Sequence, residues 1–491
     1  MIIPSPTIKP APEVQAGCWS GFKQSIFKKK PTPIPKLPAG GLVVDQSNAQ
    51  PQLPEYTYAT SCDFCGNGDH NRSANWWPAD KPPSYSPMGA NEIFRPDVMR
   101  TIEETLSNLN SELRELSLKI HDHPELGFQE KYAHDTLTQF MTSKGWEITK
   151  HYLGLETAWR AEFTVGHGGR TLGVNSEMDA LPGIGHACGH NLIAIAGVGV
   201  ALAVKTALEK HCVPGKVVLL GTPAEEGGGG KIMLIERGGY KDMDACVMCH
   251  PGPGPSGSIG TGPSLAVQPI QVEYFGHTAH ASAAPWDAIN AMDAAFLAYS
   301  NVSVLRQQMK PDHRVHGIVE GRDWAPNIIP DYAKMRWFIR APTGAQLKVW
   351  RDRVVKCFEG AAHATGCKYT ITYGQLMYDL VQNPVLSEEL VSTLHNRYGM
   401  VGTPAEGAIG GSTDFGNVTY ELPSIHPSFA IPTQPGGGNH TIGFTRAART
   451  EEAHEETLRV AKGLALVGFR VINDDKFFYK VKDSFNPHKQ I

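Results

Sequence analysis

Apolar residues recur at three- and four-residue spacing from 97 to 120, at Met99, Ile102, Leu106, Leu109, Leu113, Leu116 and Ile120, which predicts an amphipathic helix. The segment His121–Phe128 breaks that period with polar residues, Pro124 and Gly127, and reads as a shaped loop; helix returns over 131–143. Short apolar runs then alternate with helix-like stretches. Strands are expected at Thr171–Asn175, Lys216–Gly221 and Asp244–Cys249, with helices at 191–210 and 230–238 between them. Such an alternation is the signature of an α/β fold, a mostly parallel sheet flanked by helices. Each apolar run is followed at once by acidic or imidazole side chains. Open α/β sheets collect their ligands at the carboxyl ends of the strands, so one topology brings these groups to one rim.

The order changes further along. A strand at 267–275, a helix at 287–308, strands at 314–320 and 332–340, a helix at 345–364 and a strand at 368–374 give β-α-β-β-α-β, the ferredoxin-like split unit. The economical division is a core domain, 93–265 and 377–491, interrupted by an inserted domain at 266–376; the second part ends in a long helix near 450–470. Residues 1–92 are rich in Pro, Ser, Asn and Gly and read as an irregular extension. Within it, Cys62, Cys65 and His70 look like half a zinc knuckle but lack a fourth ligand, so unbound loop residues are expected.

Composition narrows the setting. Of 491 residues, 41% are hydrophobic and 19% charged, ordinary values for a globular chain. A net charge of −4 gives no reason to expect nucleic acid or an acidic membrane as partner. Nine cysteines without disulfide-like spacing suit free thiols in a reducing compartment. No charged-then-apolar leader opens the chain, and no apolar run is read as approaching membrane-spanning length. A cytoplasmic location is the expectation.

The chemistry concentrates in Glu177-Met178-Asp179-Ala180-Leu181-Pro182-Gly183-Ile184-Gly185-His186-Ala187-Cys188-Gly189-His190-Asn191. Cys188 and His190 open an apolar helix, where the positive helix end favours a thiolate. An isolated Cys-x-His is more often structural, but Asp179, His186 and Gly189 beside it favour metal chemistry. Asp179 suits the carboxylate that fixes a metal-binding imidazole. Glu225 and Glu226, adjacent after an apolar run, can divide labour: one binds metal while the other takes a proton from water. His250 ends the next apolar run. His440 would not be chosen from its local sequence alone. His280, without an acidic neighbour, suits an oxyanion donor better than a ligand. Together these residues point to a metal-dependent hydrolase.

The motifs His123–Phe128, Met178–Pro182, Gly185–Asn191, Pro223–Gly228, Gly276–His280, Asn327–Asp331 and Asn439-His440, in this order, resemble peptidase family M20, the aminoacylase and carboxypeptidase-G type of metallohydrolase, and within it the amidohydrolase branch. The resemblance implies two divalent metal ions held by Cys188, His190, Glu226, His250 and His440, with Glu225 as general base and Asp179 orienting a ligand. It also implies that His280 and Asn327 reach the substrate from the inserted domain, His280 across a homodimer formed by that domain. Arg340 would face the carboxylate of a dipeptide or N-acyl amino acid. Thiolate and imidazole favour zinc, with manganese or cobalt as alternatives. Glu177 stands where the wider family often has a histidine ligand, and the leading extension has no counterpart in a typical member. The rival reading, a non-enzymatic binding or scaffold paralogue, predicts a lost ligand or base, and none is lost here.

Overall fold

The computed structural model describes residues 93–403 and 410–485, which belong to one compact unit. The extension with Cys62, Cys65 and His70 lies outside the described residues. In chain order the first half holds α1 (Pro96–His121), α2 (Lys131–Ser143), β1 (Glu147–Lys150), β2 (Trp159–Val165), β3 (Thr171–Glu177), α3 (His190–Lys210), β4 (Gly215–Thr222), α4 (Gly230–Glu236), β5 (Ala245–Val247), β6 (His250–Pro253) and β7 (Ser258–Gly260). Next come β8 (Ala266–Phe275), α5 (Ala291–Leu305), β9 (Arg314–Gly321), β10 (Tyr332–Ala341), α6 (Gly344–Thr365) and β11 (Lys368–Tyr373). The chain closes with α7 (Pro384–Tyr398), β12 (Val401–Thr403), α8 (Phe415–Glu421), β13 (Ser424–Ile425), β14 (Ser428–Ile431), α9 (Ile442–Ala447), α10 (Glu451–Asn473) and α11 (Asp475–Ser484).

The main sheet has the order β1-β2-β4-β3-β5-β13. β4, β3, β5 and β13 run parallel, while β2 and β1 form an antiparallel edge. That edge escapes a reading by apolar period because β2 carries Arg160 and Glu162, which pair with each other and with Asp242 and Lys216. β4 is buried on both faces, as a central parallel strand must be. Val217 and Leu219 join the large core with α1, α3 and α10, and Val218 and Leu220 join a second core with Leu234 of α4 and Phe415 and Val418 of α8.

α3 corrects one expectation. By length and composition it is apolar enough to cross a bilayer, with a mean hydropathy of 1.8. Its apolar window is 89% buried inside the fold, against α1, α10 and β3, and that burial accounts for its composition. A second sheet, β12-β7-β14-β6, pairs the strand that His250 opens with β14.

The segment β8–β11 forms an antiparallel sheet of order β11-β8-β10-β9 with its own core, built by Val272, Tyr274, Met335 and Trp337 against α5 and α6. α5 is shorter than its apolar pattern suggests. It is flanked by 3-10 turns at Pro285–Asp287 and Arg306–Gln308, and Asn290 caps it through two backbone N–H groups.

Candidate metal centre

β3, β4 and β5 end on one rim, and the loops that follow them carry the candidate groups. Cys188 enters on the turn before α3, and His190 is that helix's first residue. Gly189 between them has φ 79°, and a Cβ there would stand 2.6 Å from Pro251 Cγ, so only glycine permits this approach. His440 comes from far along the chain. Its backbone N–H donates to the Ala187 carbonyl at 2.8 Å, and Asn439 Nδ2 donates to the Pro251 carbonyl at 3.2 Å. The late loop is thereby stitched to both the cysteine turn and the His250 strand.

Seven of the sequence-derived residues meet here. Cys188 Sγ lies 3.3 Å from His250 Nε2, and Glu226 Oε1 lies 3.4 Å from His440 Nε2. Cys188, His190 and His250 form one group whose donor atoms lie within 4.8 Å of one another, and Cys188, Glu226 and His440 form another. The thiol is common to both. Asp179 serves both groups: Oδ1 is 3.1 Å from His190 Nδ1, and Oδ2 accepts the Glu226 backbone N–H at 3.0 Å. The Asp179 contact directs His190 Nε2 inwards, and a 2.8 Å contact between His250 Nδ1 and the Pro251 carbonyl does the same for His250.

The donor set suits divalent cations. Among the described residues His190 Nε2 and Glu226 Oε1 are buried with no hydrogen-bond partner, a costly condition for a polar atom unless a cation satisfies it. Two imidazole-bearing groups sharing one sulfur, with a carboxylate added on one side, are side chains that could hold a pair of such ions.

Glu225 is buried beside these groups, its Oε2 3.9 Å from His190 Nε2. Burial, then the charges of Glu177 and Glu226, push its carboxyl well above the ordinary value. Burial also works to raise Glu226, but His440 and His190 outweigh it and hold Glu226 low. The two adjacent acids thus differ in basicity. Burial pushes the Cys188 thiol up to about 12.

Lys231 and Asp414, which sequence reasoning left without a role, complete the surroundings together with Glu177. Lys231, fully buried in α4, sets Nζ 2.7 Å from Glu177 Oε1 and 2.6 Å from Asp414 Oδ1. Glu177 Oε2 faces His190 Nε2 at 3.4 Å. Burial works against the Glu177 anion, but Lys231 overrides it and takes the carboxyl down to about 2. Burial raises Asp414 to about 6. The faint signal for this trio was a lysine placed straight after a glycine run.

Arg340, on β10, donates to Ser412 Oγ at 2.8 Å, and among the described residues no carboxylate is paired with it. Its charge reaches His440. His280 and Asn327 are brought to each other instead. The backbone bridges His280 to Ile328, Ala281 N–H donates to the Asn327 carbonyl at 3.0 Å, and both side chains are exposed. Among the described residues neither makes a hydrogen bond or ion pair with the cysteine cluster.

Residues 173–461 match Peptidase family M20/M25/M40. The chain is 40% identical over 418 residues to the Xaa-Arg dipeptidase of Mus musculus, covering 82% of this chain and 94% of that protein. It is 25% identical over 470 residues to a p-aminobenzoyl-glutamate hydrolase polypeptide of Escherichia coli (strain K12), covering 80% and 95%. Its fold is that of the Bacillus subtilis YXEP protein, a dinuclear metal binding peptidase from the M20 family, with a TM-score of 0.58 at 21% identity over 74% of this chain and 99% of that one.

Proposed function

We propose, from the premise that this chain belongs to peptidase family M20/M25/M40 and is a hydrolase of peptide bonds, that it cleaves dipeptides or N-acyl amino acids with a free carboxylate at a two-cation centre. The observation that carries this reading is Asp179 bridging His190 and Glu226 while Glu225 stands beside them, hydrogen-bonded to none of them. Cys188, His190 and His250 would hold one ion and Cys188, Glu226 and His440 the other, zinc being the best match to thiolate and imidazole. When bound, the pair supplies Lewis-acid polarisation of the scissile carbonyl and a lowered pKa for the attacking water.

The rest is work for the chain's own side chains. Glu225 takes the proton of the water and returns it to the leaving amine, a task its raised basicity suits. Arg340, hydrogen-bonded to a neutral hydroxyl and, among the described residues, paired with no carboxylate, receives the substrate carboxylate. The relatives named Xaa-Arg dipeptidase make dipeptides ending in arginine the first substrates to try, ahead of β-alanyl dipeptides, acyl amino acids and aminobenzoyl-glutamate.

Glu225→Gln tests the mechanism. Turnover is expected to fall by ~10²–10⁴-fold, with cation content at the wild-type level; a variant that keeps its turnover removes Glu225 as base.

Homodimerisation through the inserted segment is part of the proposal. α5 presents Phe296, Tyr299 and Val304 outwards, 53%, 38% and 76% exposed, beside β9, whose outer edge is unpaired in its sheet. A second copy on this face would let His280 and Asn327 serve the partner's site, His280 steadying the oxyanion. The six described cysteines are free, which supports a reducing, cytoplasmic setting.

A further inference from the structure

The loop His121–Glu130 is shaped, and the chemistry above makes no use of it. It is nevertheless the strut on which both acid-bearing loops lean. The Glu125 carbonyl accepts the Ala180 N–H at 2.8 Å, next to Asp179. The Glu125 carboxylate accepts the N–H groups of Tyr132 and Ala133 at 2.9 and 3.0 Å, fixing the loop to the start of α2. Gly127 lies flat against Ala224: a Cβ at 127 would stand 2.9 Å from Ala224 Cβ. At the end of the loop Glu130 has no exposed surface. Its Oε1 accepts the Ala224 N–H at 2.8 Å, and its Oε2 accepts the Thr157 hydroxyl at 2.6 Å.

Ala224 immediately precedes Glu225 and Glu226, and its φ is 56°, left-handed backbone that a residue with a Cβ adopts only under constraint. Its carbonyl is held as well, accepting the N–H groups of Gly228 and Gly229 at 2.9 Å each. Backbone strain of this kind persists only where the surroundings over-determine it. The Ala224 N–H is held by Glu130 and by no other group among the described residues.

We propose that Glu130 is a positioning residue: its buried carboxylate holds Ala224 in the left-handed conformation and so aims Glu225 and Glu226, neither of which it is bonded to. The inference rests on the roles given above to those two acids. A carboxylate suits the task because it offers one acceptor oxygen to each of two donors from different strands' loops.

The test compares Glu130→Ala and Glu130→Gln, each alone and combined with Ala224→Gly, by steady-state kinetics, cation content and thermal melting. Glutamine keeps an oxygen for the Ala224 N–H, and its NH₂ can donate to the Thr157 oxygen. Glu130→Ala is expected to lower kcat ~10–100-fold, the scale of a small misplacement at a reacting centre, while KM and cation content hold. Glu130→Gln is expected to restore most of that loss. In the Ala224→Gly background the loss is expected to shrink, because glycine takes positive φ without constraint.

Equal slowing by Gln and Ala overturns the proposal. So does an unchanged loss in the glycine background, or a kcat that merely follows lost cations or lost folded protein. Gly127→Ala presses on Ala224 while leaving the buried carboxylate in place. It is expected to lower kcat at constant KM, and a wild-type kcat overturns the proposal even where Glu130→Ala does not fold. An active Glu225→Gln would sink the base assignment and the proposal together, whereas a failure confined to the Glu130 variants leaves the base assignment standing.

Discussion

Lys231 has no exposed surface, and its ammonium touches Glu177 on one side and Asp414 on the other. Removing one partner from a buried charge group is costly because the others stay behind uncompensated. Lys231→Met is therefore expected to lose ~3–5 kcal/mol of unfolding free energy, read from denaturant midpoints. Asp414→Asn leaves the Glu177–Lys231 pair intact and should cost clearly less; equal midpoints for the two variants would contradict the charge argument. At this scale the sequence showed which residues had the right chemistry, because thiol, imidazole and paired acids crowd two short segments. It could not show Lys231 or Asp414, whose signal is burial and mutual distance and not residue type.

At the scale of elements, α1 and α10 pack together, and His454 of α10 sits between them with Nε2 2.7 Å from Asn110 Oδ1. Its Nδ1 is buried without a hydrogen-bond partner among the described residues. Burial, with the charge of Arg114, takes its pKa down to about 4. The unfolded chain takes up this proton near pH 6.5, whereas the folded helix pair refuses it until about pH 4. Stability from this site is complete above pH 6.5 and lost as pH falls to 4. The loss is up to about 3 kcal/mol. His454→Gln is expected to flatten the fall in denaturant midpoint between pH 7.5 and 5; an unchanged slope would show that other groups govern it. The helices and the central strands were legible because each has a single buried face or is buried throughout. β1 and β2 were not, since paired charges inside β2 interrupt the period that identifies a strand.

For the whole molecule, the proposed homodimer makes a sharp expectation. Glu225→Gln and His280→Ala should each be nearly inactive alone. Mixed and allowed to exchange protomers, they should regain about a quarter of wild-type activity, because half the dimers are then hybrids with one intact site of two. Mixtures as inactive as their components would confine His280 to its own chain. Val304→Glu on the outward face of α5 is expected to give monomers by light scattering, with activity falling alongside.

The sequence by itself determined the α/β class, the order of the β8–β11 unit and the kinds of side chain available for chemistry, because apolar period and residue type are local properties. Only the tertiary structure decided that Asp179 reaches both His190 and Glu226, that His440 closes onto Cys188, and that a buried lysine and a buried glutamate stand behind the ligand loops. Those are contacts between segments as far apart as Ala187 and His440. No local pattern encodes such contacts, because they follow from two sheets and the loops between helices bringing distant segments together.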